Sequence, residues 1–161
     1  MTRSTAYTTI LCDDLPQNPA QNMIYHLRPK NADGDYYKER TDRNIGWITA
    51  AEQEALSSIP VSIAGCGGMG GQVAEKMLRL GIGEIRIADP EFFDVSNINR
   101  QFAARKLSVG VSKAFETARM LRDITDDSAI EVYGMGIDSL MLHQFRSGTA
   151  IVIDQIEFFN I

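Results

Sequence analysis

Residues Val61 to Gly71 read VSIAGCGGMGG. A short apolar run, Val61 to Ala64, ends in Gly65-x-Gly67-Gly68-x-Gly70, and an amphipathic segment, Gln72 to Leu80, follows at once. This order predicts a strand, a glycine turn and a helix. Glycines permit the tight turn and leave no Cβ between main-chain N–H groups and an approaching phosphate. The helix start adds a partial positive charge at the same place. The same glycine pattern serves dinucleotide-binding domains, so by itself it does not select a ligand.

Downstream, the chain alternates. Glu84 to Ala88 (EIRIA) is apolar at every second position and predicts a second strand, ending at Asp89-Pro90. Ser96 to Phe102 predicts a short helical turn. Ser112 to Asp123 predicts a helix with Ala114, Phe115, Ala118 and Leu121 near one face. Ile130 to Tyr133 is a third strand, Ser139 to Phe145 a helix, and Thr149 to Ile153 a fourth strand. Ile151, Val152 and Ile153 are all apolar, as expected of a strand covered on both faces. Such alternation predicts an α/β fold: a doubly wound, mostly parallel, Rossmann-like sheet with helices on both faces. Ligands on such sheets lie beyond the strand C-terminal ends, which here carry Gly65, Asp89 and Asp154. The sequence reaches Ile161 just past the fourth strand, so the expectation is an incomplete domain.

Upstream, Glu39 to Ser58 reads as mostly helical. Thr49-Ala50-Ala51-Glu52 fits a capping box, and Ala51, Ala55, Leu56 and Ile59 line one side. Pro60 then stops the helix. In residues 1–38, Pro16, Pro19 and Pro29 interrupt the pattern, and Asp33-Gly34 is a turn signal. Short strands are expected at Tyr7 to Cys12 and Met23 to Leu27. The domain reading is an N-terminal arm, or the end of a small subdomain, over 1–38, and a nucleotide-binding domain over 39–161.

Composition narrows the function classes. The chain has 161 residues, 44% hydrophobic and 23% charged, the profile of one ordinary globular domain. A net charge of −5 argues against a broad nucleic-acid surface. The two cysteines, Cys12 and Cys66, make no metal pattern and no disulfide framework. No apolar run has membrane-spanning length and no signal-peptide core opens the chain, so a cytoplasmic protein is expected.

The chemistry gathers after the glycine turn. Asp89 lies 21 positions after Gly68 at a strand end, where a carboxylate accepts hydrogen bonds from ribose hydroxyls. Ser96-Asn97-Ile98-Asn99-Arg100-Gln101 follows, and then Lys113. A triphosphate with a leaving pyrophosphate needs cations aimed at its oxygens, and an Arg fork and a Lys point charge are the usual donors.

These residues together resemble the ubiquitin-activating-enzyme (E1) superfamily, specifically its bacterial ThiF/MoeB/HesA-type adenylyltransferases. The match is carried by Arg40-x-x-Arg43-Asn44, the glycine loop, Leu80-Gly81-Ile82-Gly83, Asp89-Pro90, Ser96-Asn97-x-Asn99-Arg100-Gln101 and Lys113, and it runs from about Glu39 onward. The resemblance implies ATP-dependent activation of a C-terminal carboxylate, on a ubiquitin-like or sulfur-carrier protein or a peptide, with release of pyrophosphate. It places Gly65, Gly67, Gly68, Gly70, Asp89, Ser96, Asn97, Arg100 and Lys113 at the nucleotide. Arg43, Arg100 and Lys113 become the catalytic cations, with Arg43 reaching the ATP of a partner copy in a homodimer.

The family's fourth strand ends in Asp-x-x-Asp, whose second Asp binds Mg²⁺. Here the stretch reads Asp154-Gln155-Ile156-Glu157, so Glu157 is the metal candidate, its carboxylate one methylene (~1.5 Å) further out. Phe158 stands where the family has Asn. The Cys-x-x-Cys pair for zinc and a thioester cysteine after the fourth strand are both missing, and Cys66 reads as a packing residue. His26 and His143 read as surface or packing residues. Two other readings stay open: a catalytically weak E1-like scaffold subunit, and an NAD(P)-dependent oxidoreductase domain on the same glycine loop.

Overall fold

A computed structural model describes residues 8–156. They form β1 (Thr8–Cys12), β2 (Met23–Leu27), α1 (Gly34–Thr41), α2 (Ala50–Leu56), β3 (Pro60–Ala64), α3 (Gly70–Leu80), β4 (Glu84–Ala88), α4 (Lys113–Ile124), β5 (Ala129–Tyr133), α5 (Met141–Arg146) and β6 (Ile151–Asp154). The strands make one six-stranded sheet in the order β1-β2-β5-β4-β3-β6. From β3 the chain winds outward through β4 to β5, and then returns to lay β6 on the other side of β3. All of these pairs are parallel. The winding therefore reverses between β3 and β6, and the crevice for a ligand opens at their C-terminal ends.

The expected Rossmann-like sheet is what forms. Val61, Ile63, Ile85, Ile87, Ile130 and Val132 all point to one face. There they meet Ala74 and Leu78 of α3, and Ala114, Phe115, Ala118 and Leu121 of α4, all buried. Each large side chain buried there contributes about 1.5–3 kcal/mol of transfer free energy. On the other face, Ile24, Ala64, Ala88 and Tyr133 pack against Met141 and Phe145 of α5.

Several local expectations change. The stretch from Glu39 to Ser58 is not one helix: α1 ends at Thr41, a 3₁₀ turn covers Asp42–Asn44, and α2 begins at Ala50. Gly46, with φ of 110°, and the extended Thr49 cap separate them. The Thr49–Glu52 capping box is present as expected. Asp33, read as part of a turn, instead caps α1, accepting from Asp35 N at 2.9 Å. In α2 the alanines at 51 and 55 are exposed, and Gln53 is the buried residue. Its amide donates to Leu80 O at 2.9 Å and accepts from Asn44 Nδ2 at 2.8 Å, so hydrogen bonding outweighs hydropathy there. Ile151 and Val152, on opposite faces of the sheet, are 46% and 50% exposed: among the described residues β6 pairs only with β3, and neither face of it is covered in the way its apolar run predicts.

Residues 8–27, part of the stretch read as an arm, supply two strands of this same sheet. β2 pairs antiparallel with β5 and β1 pairs parallel with β2. Their short apolar runs could not show which strand they would join. Tyr7 lies outside the described residues.

The face under α5 carries a polar row. His26 and Arg86 are both registered against Glu131, and Ser62 against Arg86. Arg86 Nη1 donates to the carbonyls of Gln144, Phe145 and Ser147, and Ser62 Oγ to that of Phe145 at 2.5 Å. These bonds satisfy the end of α5. Tyr133 Oη donates to Glu131 at 2.5 Å, and burial with this contact raises its pKa. Burial pushes the Glu131 carboxyl up, but His26, Tyr133 and Arg86 together outweigh it and hold it below the usual carboxylate range. Glu131 therefore adds stability above the unfolded-state value of about 4.3 and loses it as pH falls through the lower folded value. Glu131→Gln is expected to cost about 1–3 kcal/mol at neutral pH. Urea titrations of both proteins should show the gap closing in acid.

Candidate functional site

The glycine loop leaves β3 at its C-terminal end, and two of its glycines are fixed by the fold. Gly65 has φ of 94°, and a Cβ there would stand 2.6 Å from Gln155 O. A Cβ on Gly70 would stand 1.8 Å from Gly65 O. Gly67 and Gly68 differ. Neither has positive φ, and a Cβ on either would meet nothing closer than 3.7 Å. No contact among the described residues requires glycine at these two positions, so their bare backbone is open to a ligand. They are only half-buried.

Other groups border the same place. The side chain of Arg100 lies over Gly68, its Cγ 3.8 Å from the Cβ position, and Gln101 lies at 3.7 Å from that of Gly67. Arg100 Nη1 donates to Ser96 O at 3.0 Å and Asn99 Oδ1 at 2.9 Å, which holds the exposed guanidinium beside the loop. Helix α3 starts here with Met69 at its cap and no side-chain acceptor. Its first N–H groups and its dipole face the loop. Gln101 is half-buried, and its Oε1 has no partner among the described residues.

Asp89 ends β4 and is 5% exposed. One oxygen accepts from Cys66 N at 2.7 Å, the other from Glu91 N at 2.8 Å. It is thus first a strut for the glycine loop. A carboxylate has about four acceptor positions, so capacity remains for a ribose hydroxyl. Burial pushes its carboxyl above the usual range, against the pull of the two N–H groups and Lys113. Lys113 opens α4 behind its Ser112 cap and is buried. Its Nζ meets Glu91 Oε2 at 2.5 Å. Cys66 is buried, and burial pushes its thiol well up, which fits a packing role.

Ser96 and Asn97 are occupied within their own turn. Asp94 accepts from Ser96 N at 2.8 Å, and Asn97 Oδ1 accepts from Asp94 N at 2.9 Å. Arg43 lies elsewhere. Its neighbour Asn44 donates to Leu80 O at 3.1 Å, at the far end of α3 from the glycine loop. Arg43 is exposed and pairs with nothing among the described residues. Glu157 lies outside the described residues. Asp154, at the end of β6, is exposed and accepts from Ile156 N at 3.0 Å. No group of three or more His, Cys, Asp or Glu suited to a metal occurs among the described residues. Mg²⁺ needs no such cage when phosphates supply part of its shell, and Asp154 is a carboxylate of the kind that serves it.

Two open hollows lie away from this place. One, of about 590 Å³, is under α1 and α2; the other, of about 480 Å³, is between Asp13-Asp14 and α4. The first is at the N-terminal edge of the parallel strands, where this fold does not place ligands. The glycine loop is the better site because its vacant backbone, a helix start and cations coincide there. Sequence reading passed over Glu91, which stands two residues after Asp89 without a recognisable pattern. No described helix is long and apolar enough to cross a membrane.

Known proteins share this sequence pattern and fold. The sequence profile described as "ThiF family" matches residues 41–161. The SAMP-activating enzyme E1 of Haloferax volcanii is 28% identical over 107 residues, which is 66% of this chain and 40% of that protein. The NEDD8-activating enzyme E1 catalytic subunit of Caenorhabditis elegans is 35% identical over 118 residues, 70% of this chain and 27% of that one. The crystal structure of Escherichia coli tRNA N6-threonylcarbamoyladenosine dehydratase in complex with ATP superposes with a TM-score of 0.72 at 26% identity, covering 80% of this chain and 53% of that one. The chain thus spans two fifths or less of these curated relatives and about half of the solved one.

The two classes of glycine separate by experiment. Gly70→Ala should destabilise the fold by several kcal/mol, at ~3 kcal/mol or more for a backbone clash. Gly68→Ala should change the thermal midpoint little. Equal melting losses in both variants would remove the case for a vacant ligand cradle.

Proposed function

The chain belongs to the ThiF family, and on that premise we propose that it is the nucleotide-binding part of an ATP-dependent adenylyltransferase. In the reaction, a C-terminal carboxylate oxygen of a ubiquitin-like or sulfur-carrier protein, or of a peptide, bonds to the α-phosphorus of ATP. The bond to the bridging oxygen breaks and pyrophosphate leaves, which yields an acyl-adenylate. The observation that carries this reading is the bare backbone at Gly67 and Gly68 under Arg100, at the start of α3.

Each group has a task the chemistry requires. Anion attacks anion, so catalysis is positioning and charge neutralisation. The loop N–H groups and α3 receive phosphate oxygens. Arg100 and Lys113 neutralise the charge that moves onto pyrophosphate. Asp89 keeps the loop in shape and offers its spare acceptor positions to the ribose. Mg²⁺, held by Asp154 or Glu157 together with phosphate oxygens, would draw charge from the triphosphate. Arg43 is too far along α3 to serve its own loop, which supports its acting on a second copy in a homodimer. The cations favour a triphosphate over a nicotinamide dinucleotide. A net charge of −5 and relatives named for activating small proteins support a protein or peptide acceptor over a nucleic acid.

ATP–pyrophosphate exchange, measured with candidate acceptors, tests this directly. Lys113→Ala is expected to lose 10²-fold or more, roughly the loss of one transition-state donor, while still unfolding cooperatively. The trans role has its own test. Arg43→Ala and Lys113→Ala proteins, each inactive, should regain activity when mixed, because a mixed dimer holds one intact composite site. Strictly monomeric, active protein by sedimentation would remove the homodimer. No exchange with any acceptor, alongside measurable ATP binding, would leave the scaffold reading in its place.

A further inference from the structure

Glu91 is tied into the site at three points. Its N–H donates to Asp89 Oδ1 at 2.8 Å, its carbonyl accepts from Lys113 N at 2.9 Å, and its carboxylate takes Lys113 Nζ at 2.5 Å. The main chain of residue 91 is therefore pinned between the end of β4 and the start of α4. The two side chains of the pair differ sharply. That of Lys113 is 7% exposed and that of Glu91 65%. The ammonium is built in; the carboxylate sits on the solvent side, where water can receive it once another anion takes its place. A buried ammonium cannot be left without an anion, because its desolvation is uncompensated. Lys113 also lowers the Asp89 carboxyl and Glu91 raises it, so both charges act on the strut that shapes the glycine loop.

Resting on the nucleotide-site reading above, we propose that Glu91 is the resident counter-ion of Lys113. It holds the ammonium in place in the empty site, gives it up to an incoming phosphate group, and takes it back when pyrophosphate leaves. Glu91 is then a positioning residue that sets how tightly the site grips polyphosphate. Its pull competes with a multiply charged ligand, which wins because several phosphate oxygens reach the same ammonium. On departure of the anion, the carboxylate refills the place and lowers the barrier to release. The exchange is one anion for another around a stationary cation and breaks no covalent bond.

Calorimetric titration of the whole chain with ATP, inorganic pyrophosphate and adenosine tests this. Glu91→Gln removes the competing charge and keeps the shape. ATP and pyrophosphate are expected to bind it on the order of tenfold more tightly than wild type, the scale of one close charge pair, with adenosine unchanged. Glu91→Asp, which keeps the charge, should stay near wild type. Pyrophosphate inhibition of exchange should strengthen in Glu91→Gln with the affinity, a split that a merely structural role would not produce. ATP and pyrophosphate bound by Glu91→Gln no more tightly than by wild type, or adenosine affinity rising in step with theirs, would overturn the counter-ion role and leave the nucleotide site standing. A wild-type chain that binds neither ATP nor pyrophosphate would overturn both.

Discussion

The site depends on one carboxylate with two main-chain partners. Asp89 bonds the N–H of Cys66, inside the glycine loop, and the N–H of Glu91, at the entrance to the segment that carries Arg100 and Lys113. One buried side chain thus sets the distance between the loop after β3 and the chain after β4. Besides it, the loop is held by the Gly65 N to Ala88 O bond at 2.7 Å and the weaker Gly71 N to Gly67 O bond at 3.4 Å. Burial raises the carboxyl's pKa, so the charge stands there at a cost, and the two N–H groups and Lys113 are what offset it. The ordinary reading of such an aspartate is a ribose ligand. Here both oxygens are already engaged in shaping the loop, and the proposed ribose contact has only their remaining acceptor positions.

The parallel sheet supplies the rest of the frame. Because winding reverses between β3 and β6, Gly65 and Gln155 meet at the crevice, and the residues after each strand face one another across it. Helix α3 runs down from that edge and ends at Gly81, where Asn44 and Gln53 collect the Leu80 carbonyl. The same helix therefore points its positive end at the phosphate shelf and pins Arg43 some eleven residues away at its other end. In a single copy, the arginine and the shelf are separated by the length of the helix. In the homodimer proposed above, a second copy would bring the two together.

On the other face of the sheet, polar residues do a job that sequence patterns assign to apolar ones. Ser62, Arg86, Glu131 and His26 form a row across four strands, and the row binds the last carbonyls of the short helix α5. The helix is only six residues long and could not hold its place by burial alone. Hydrogen bonds from the sheet substitute for a longer apolar face. This is why the α5 side is thin, and Val152 of β6, registered with Ser62 on that face, stays half open.

The sequence by itself determined the central sheet and its glycine crossover. Apolar alternation in β3, β4 and β5 and the faces of α3 and α4 are local patterns, and local periodicity survives whatever the rest of the chain does. The spacing of glycines, Asp89, Arg100 and Lys113 also marked the residues that gather at the strand ends. Only the tertiary structure decided what each of them touches. Gly65 and Gly70 proved to be fixed by neighbouring carbonyls, while Gly67 and Gly68 are free of any such need, a difference invisible in the letters. Lys113 is buried against Glu91 rather than standing in solvent, and Asp89 serves the backbone before it serves a ligand. β1 and β2 joined the sheet's far side through pairing with β5, which no run of five residues encodes. The physical reason is common to all of these. Hydropathy and spacing constrain a residue's own element, whereas hydrogen-bond partners and counter-ions come from segments distant in the chain, and those exist only once the sheet has closed around them.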